Sequence, residues 1–162
     1  MIPSTPDQIV IGRQALTHLS AVLEVVAPQE GCALLLGHGA AVEPPTARPA
    51  AASWLLQCIW PCLNCWQPHG ERVFRFAIDP REQLQAQKWA RQRDLRVLGA
   101  AHSHPCGQPV PSATDLALTL GPTLMLILGG GTLGCWWVPE PDPRSGETGD
   151  VTPRPLAWRM ES

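Results

Sequence analysis

A short, unbroken apolar run, Cys32–Ala33–Leu34–Leu35–Leu36, is closed by Gly37 and reads as a strand buried in a core. The stretch before it has another period. From Arg13 to Val26, Leu16, Leu19, Leu23 and Val26 recur at three- and four-residue spacing, which predicts an amphipathic helix ended by Pro28. Ile9–Ile11 reads as a short strand ahead of that helix, and Trp54–Trp60 and Val73–Ile78 read as strands after it. Asp79–Pro80 predicts a helix start, with a side-chain oxygen at the N-cap and proline at the first helical position. That helix continues through Leu84, Lys88 and Arg91 to about Asp94. Leu95–Ala101 is then a strand, and Ser112 begins a third helix. Thr123–Leu128 and Leu133–Val138 pair across a turn at Gly129–Gly130–Gly131, and Leu156–Met160 returns as a last strand. Residues 39–52, rich in Ala and Pro, and the Pro/Gly-rich 139–155 are expected as loops, the second one mobile. Strands mixed with three helices predict an α/β or α+β sandwich, and 162 residues suit one domain.

Composition removes several function classes. Only 16% of residues are charged, yet no apolar stretch reaches the roughly 18 residues that a spanning helix needs. The region Leu116–Leu128 is broken by Gly121 and Pro122, so no membrane association is expected. The net charge is −2 and Lys88 is the only lysine, so no basic surface is available to neutralise phosphates and nucleic acid is not an expected partner. Met1–Ile11 has neither the charged nor the apolar region of a signal peptide, which makes the cytoplasm the expected compartment. Six cysteines are then expected as free thiols. Cys62 and Cys65 form a CxxC, but no second ligand pair stands at a spacing that would close a structural zinc site.

The chemistry-bearing segment is His102–Ser103–His104–Pro105, followed by Ser112 and Asp115. In an extended chain, residues two apart face the same way, so both imidazoles can reach one metal while Ser103 points to the other face. Pro105 stops the strand, and a helix begun at Ser112 can carry Asp115 back towards the histidines. Three protein ligands are the count of a catalytic zinc site, which keeps its fourth position open. Each part also has a plainer reading. A His-x-His can be incidental, and Ser112-x-x-Asp115 fits a helix capping box. The capping and metal readings are compatible, since a capped start would hold Asp115 in place.

The joint pattern His-x-His-Pro-x6-Ser-x-x-Asp resembles the JAMM (MPN-type) zinc metalloproteases of the short bacterial type. Glu30 matches that family's upstream glutamate, standing before the small-residue and leucine-rich strand in Gln29–Glu30–Gly31–Cys32. By spacing alone Glu30 could equally be a surface residue at a strand start. The resemblance implies a three-layer sandwich with a mixed, curved sheet flanked by helices, cytidine-deaminase-like in architecture. It implies His102, His104 and Asp115 as Zn2+ ligands, Glu30 as general acid/base and Ser112 as a stabiliser of the tetrahedral oxyanion. It also implies an isopeptidase or peptidase acting on the C-terminal tail of a small ubiquitin-like or sulfur-carrier protein ending in Gly-Gly. The alternative within the family is a non-catalytic interaction scaffold, and scaffold members usually lose the ligands that this chain retains. Cys106, directly after His104–Pro105, departs from the usual pattern and is a candidate neighbour of the metal. Of Trp136 and Trp137, adjacent on a strand, one should face outwards and can line a groove, with core or interface packing as the plainer reading.

Overall fold

A computed structural model describes residues 5–39, 52–144 and 151–162. The elements in chain order are β1 (Gln8–Ile11), α1 (Arg13–Glu24), β2 (Cys32–His38), β3 (Ser53–Cys62), a 3-10 turn (His69–Val73), α2 (Pro80–Arg91), β4 (Arg96–His104), α3 (Ala113–Ala117), β5 (Thr123–Gly129), β6 (Thr132–Val138), β7 (Arg154–Pro155) and β8 (Ala157–Met160). The strands form one mixed sheet in the order β7-β6-β5-β4-β2-β3-β1-β8. β2 lies antiparallel to both β3 and β4, while β4 and β5 run parallel. Gly130 and Gly131, both at positive φ, make the tight turn between β5 and β6.

The sheet curves until its edges almost meet. β7 pairs with β6 at one edge, and β8 pairs with β1 at the other. Between them the Leu156 N–H donates to the Cys135 carbonyl at 2.9 Å, and Trp158 Nε1 donates to the Leu133 carbonyl at 3.2 Å. A nearly closed sheet leaves few unpaired backbone groups at its edges.

β2 is apolar without interruption because both of its faces are covered. Leu35 joins the cluster under α1 with Ala15, Leu19 and Leu23, whereas Leu34 and Leu36 pack under α2 with Ala86 and Ala90. Farther along the α2 face, Leu116 of α3 packs against Met125, Ile127 and Val138. The expected three-layer arrangement with a mixed, curved sheet is therefore the one observed. Asp79 caps α2 as its sequence predicts, its carboxylate accepting the Arg81 N–H at 2.9 Å. Among the described residues no helix is long and apolar enough to cross a membrane.

Four expectations need correction. Residues 74–78 form no strand, because their backbone groups are engaged elsewhere. The Asn64 amide donates to the Arg75 carbonyl, its oxygen accepts from the Ala77 N–H, and Cys65 N–H donates to the Ala77 carbonyl. α1 stops at Glu24, which leaves Val26 outside the helix and 40% exposed. Of the loop expected over 139–155, residues 145–150 lie outside the described set, and Arg154–Pro155 pair with β6. The loop expected over 39–52 falls almost wholly outside the described residues as well. Neither adjacent tryptophan lines the groove beside the histidines. Trp137 is core and meets Trp54 edge-on at 5.4 Å, and half-buried Trp136 donates to the Pro109 carbonyl at 2.9 Å.

Candidate metal centre

A register break in β4 sets which way the histidines point. Leu35 of β2 lies opposite Gly99, but Leu36 lies opposite Val97, so Leu98 is an extra residue on β4. A bulge of one residue exchanges the faces of every side chain beyond it. Val97 and Ala100 accordingly share the α2 face, Ala101 faces α1, and His102 and His104 follow Ala100. Without the bulge both imidazoles would enter the apolar cluster under α1.

The capping box at the start of α3 brings the carboxylate to them. Ser112 Oγ accepts from the Asp115 N–H at 3.0 Å, and Asp115 Oδ2 accepts from the Ser112 N–H at 2.8 Å. Both readings of Ser112-x-x-Asp115 therefore hold at once. Asp115 Oδ2 lies 3.0 Å from His102 Nε2 and 3.2 Å from His104 Nε2, and the two nitrogens are 3.0 Å apart. A tetrahedral zinc with bonds of about 2.0–2.1 Å spaces its ligands about 3.3 Å apart, so this triangle has a suitable size. His102, His104 and Asp115 are the group of side chains among the described residues that could hold a metal ion.

The donor set fits a cation chemically as well. His104 Nδ1 lies 2.8 Å from the Gln108 carbonyl, an acceptor only, so Nδ1 carries a proton and Nε2 is the nitrogen that can offer a lone pair. Phe76 stacks on the His102 ring at 4.4 Å and limits how that imidazole can turn. Burial pushes the His102 imidazole below its ordinary value, against the pull of Asp115, and keeps the ring neutral. The hydrogen bond to Asp115 pushes His104 up instead, so a proton competes with a cation for its Nε2. Burial alone would raise Asp115, but its hydrogen bonds from His102 and His104 outweigh burial and hold the carboxyl well below the usual range.

Glu30 comes to the same place from the start of β2, which runs antiparallel to β4 with Cys32 opposite His102. Gly31 passes so close to the end of α1 that a Cβ on it would lie 2.5 Å from the Leu23 carbonyl oxygen. Ser103, on the opposite face from the histidines, joins the two elements. Its Oγ accepts the Gly31 N–H at 2.8 Å and donates to the Leu23 carbonyl at 3.3 Å. The Glu30 N–H donates to the Arg72 carbonyl, and Asn64 Nδ2 donates to the Glu30 carbonyl. His69, for which the sequence offers no partner, braces this turn through Arg72 and Gln29. Glu30 is 3% exposed, with Oε1 4.0 Å from His104 Nε2 and Oε2 lacking a hydrogen-bond partner among the described residues. Burial pushes its pKa up to about 7, His104 opposing and Asp115 adding to the rise.

All five residues of the sequence motif are thus gathered, with Ser112 exposed at the rim. Ser103, Asn64, Phe76 and the Gln108 carbonyl also shape the site and are not legible as site residues from the motif. A polar Ser103 inside an apolar strand was a usable signal. Asn64 was masked by the CxxC around it. Cys32 and Cys62 are cross-strand neighbours and all six cysteines are free thiols. Burial pushes Cys32 up to about 12 and Cys62 up to about 11, so neither is a thiolate near neutral pH. Cys106 is exposed and stands outside the ligand group.

The family described as prokaryotic homologs of the JAB domain matches residues 12–139, which hold every motif residue. The chain belongs to this family. A segment of 54 residues is 41% identical to a desampylase of Pyrococcus furiosus. That match spans 33% of this chain and 39% of the relative's length. Two solution structures share the fold. One is of a Desulfitobacterium hafniense protein, with a TM-score of 0.67 and 23% identity over 95% of this chain and 94% of that one. The other is of a Salinibacter ruber protein, with a TM-score of 0.55 and 20% identity over 93% and 91%.

Proposed function

We propose that this JAB domain is a zinc-dependent hydrolase that cuts an amide bond at the C-terminal tail of a small ubiquitin-like or sulfur-carrier protein ending in Gly-Gly. The observation that carries the reading is the convergence of two imidazole Nε2 atoms and an ionised carboxylate, with the buried Glu30 carboxyl beside them. His102, His104 and Asp115 would hold the ion. Zinc in such a site supplies Lewis acidity, which makes water a nucleophile near neutral pH. Glu30, with its pKa near 7, takes the proton from the attacking water and returns it to the leaving nitrogen. Ser112 Oγ already accepts from the Asp115 N–H, so its own proton is available to donate to the developing oxyanion. The bulge at Leu98 and the capping box hold these groups in place before substrate arrives, which lowers the cost of orienting them.

The likeness to a desampylase supports a small ubiquitin-like protein as the substrate, and a glycine tail is thin enough to reach buried groups. The free thiols support a reducing, cytoplasmic setting.

The test couples metal content to cleavage. Wild type supplied with zinc should hold about one ion per chain, and Asp115→Ala markedly less, by elemental analysis. Glu30→Gln should keep the zinc and lose about 10²–10⁴-fold in hydrolysis of a Gly-Gly-tailed fusion. Wild type that takes up no zinc would favour the interaction-scaffold alternative.

A further inference from the structure

The α2 face of the sheet is covered in two separate places. α2 lies over Leu34 and Leu36, α3 lies over Met125 and Ile127, and a cavity of about 530 Å³ opens between the two helices. His102 and Asp115 form part of its wall, so the cavity is continuous with the candidate metal centre. Pockets of ~300–1,000 Å³ hold whole small molecules, and a glycine tail would leave most of this one empty. Leu34, Val97, Ala100 and Met125 line it, and Phe76 connects it to His102 through their ring stacking.

Apart from His102 and Asp115, the charged side chain among the described lining residues is Arg75. Its guanidinium carbon sits 5.4 Å from the Trp66 ring centre, and its Nε lies 4.0 Å from Glu71 Oε2, the atom to which Trp66 Nε1 also donates. The cation is therefore held in a set direction by its neighbours. Gln83 and Gln87, one turn apart on α2, are exposed and also line the cavity.

We infer that this cavity receives the side chain of the residue released by hydrolysis, and that this residue is a large apolar amino acid with a free α-carboxylate. The inference rests on the Gly-Gly reading, since the two glycines before the cut bond carry no side chain and the leaving residue is the one next to that bond with a side chain to bury. Arg75 attracts a carboxylate and repels a cation, so a leaving residue with a free lysine side chain suits this wall poorly. In the reaction the glycine carbonyl–nitrogen bond breaks and the water oxygen bonds to the carbonyl carbon. The water protons pass to the nitrogen, giving a Gly-Gly carboxylate and the free amino acid.

The test uses the zinc-loaded protein and a small ubiquitin-like protein whose Gly-Gly is extended by one residue: Phe, Leu, Gly, Lys or Phe-amide. Phe and Leu extensions should exceed Gly in kcat/KM by at least ~10-fold. The free Phe carboxylate should exceed Phe-amide, and Arg75→Gln should remove that second preference. Gln87→Trp, placed on the helix surface where folding is least disturbed, should reduce the Phe-to-Gly ratio by narrowing the cavity. Equal rates across the series, or a preference for Lys, would overturn the inference and leave the hydrolase reading intact. If no extension is cleaved, the hydrolase reading fails, and binding of N-acetylphenylalanine to the metal-free protein decides about the cavity. Amide shifts in NMR spectra at Phe76, Ala100 and Leu118, weakened by Gln87→Trp, would sustain an apolar carboxylate pocket. Their absence would overturn it.

Discussion

On the α1 face of the sheet, Ala15, Leu19 and Leu23 meet Leu35, Ala101, Leu124 and Leu126 in one continuous apolar cluster. On the opposite face the same strands carry two smaller clusters, one under α2 and one under α3, with the cavity and the histidines between them. β4 belongs to both. Ala101 and Ser103 join it to α1, and Ala100 and His102 line the gap with His104 beside His102. The difference shows how a fold can hold polar groups out of water without sealing them in. The continuous face fixes the strands, and the divided face leaves their other side free for chemistry.

Four substitutions would break or sharpen that contrast. The largest effect on folding is expected at Leu35, which is fully buried on the α1 side. Leu35→Ala should lower stability by about 2–5 kcal/mol in urea unfolding. Leu118→Ala, in the divided face and 55% exposed, serves as its control and should change stability by less than about 0.5 kcal/mol. Equal losses at the two positions would mean that the faces do not differ in what they contribute.

Glu30 comes next, and its effect depends on pH. In the folded, metal-free protein its carboxyl keeps a proton up to about pH 7, whereas the unfolded chain releases it near 4.5. Below 4.5 both states are protonated and Glu30 costs nothing. As pH rises from there through about 7 the folded state binds the extra proton, so stability falls and stays low above that window. Glu30→Gln should therefore be the more stable protein above pH 7, by up to ~3 kcal/mol, with no advantage at pH 4. Thermal melts of the metal-free pair at both pH values check this, and a gain of the same size at pH 4 would contradict it.

The smallest effect is expected at the rim. Ser112→Ala removes the oxygen that caps the Asp115 N–H and should cost about 0.5–2 kcal/mol. Its zinc affinity should fall far less than that of Asp115→Ala, as read by competition with a chelating dye, because the Ser112 N–H still holds Oδ2.

Much of this was legible in the chain, and the reason is that local rules do not compete with one another there. The apolar run at Cys32–Leu36, the helical period before it and the Asp79–Pro80 start all became the elements they predict. Two-residue periodicity did place both imidazoles on one side of β4, and Ser112-x-x-Asp115 did cap a helix. Segment 74–78 failed because a side chain, Asn64, took the backbone groups that a strand would have paired.

The sequence by itself determined which residues are the candidate ligands, because two histidines two apart and an aspartate in a helix-start motif form a set that could hold a metal ion. It also determined that β2 needs cover on both faces, since an uninterrupted apolar strand has no side to give to water. Only the tertiary structure decided which face the histidines occupy, because a bulge at Leu98 arises from pairing between strands distant in sequence. It alone decided that Ser103 would tie Gly31 to α1 and so fix Glu30 beside His104. The gap between α2 and α3 belongs to that second class too. A cavity is made by what two elements fail to cover, and no single segment of sequence records that.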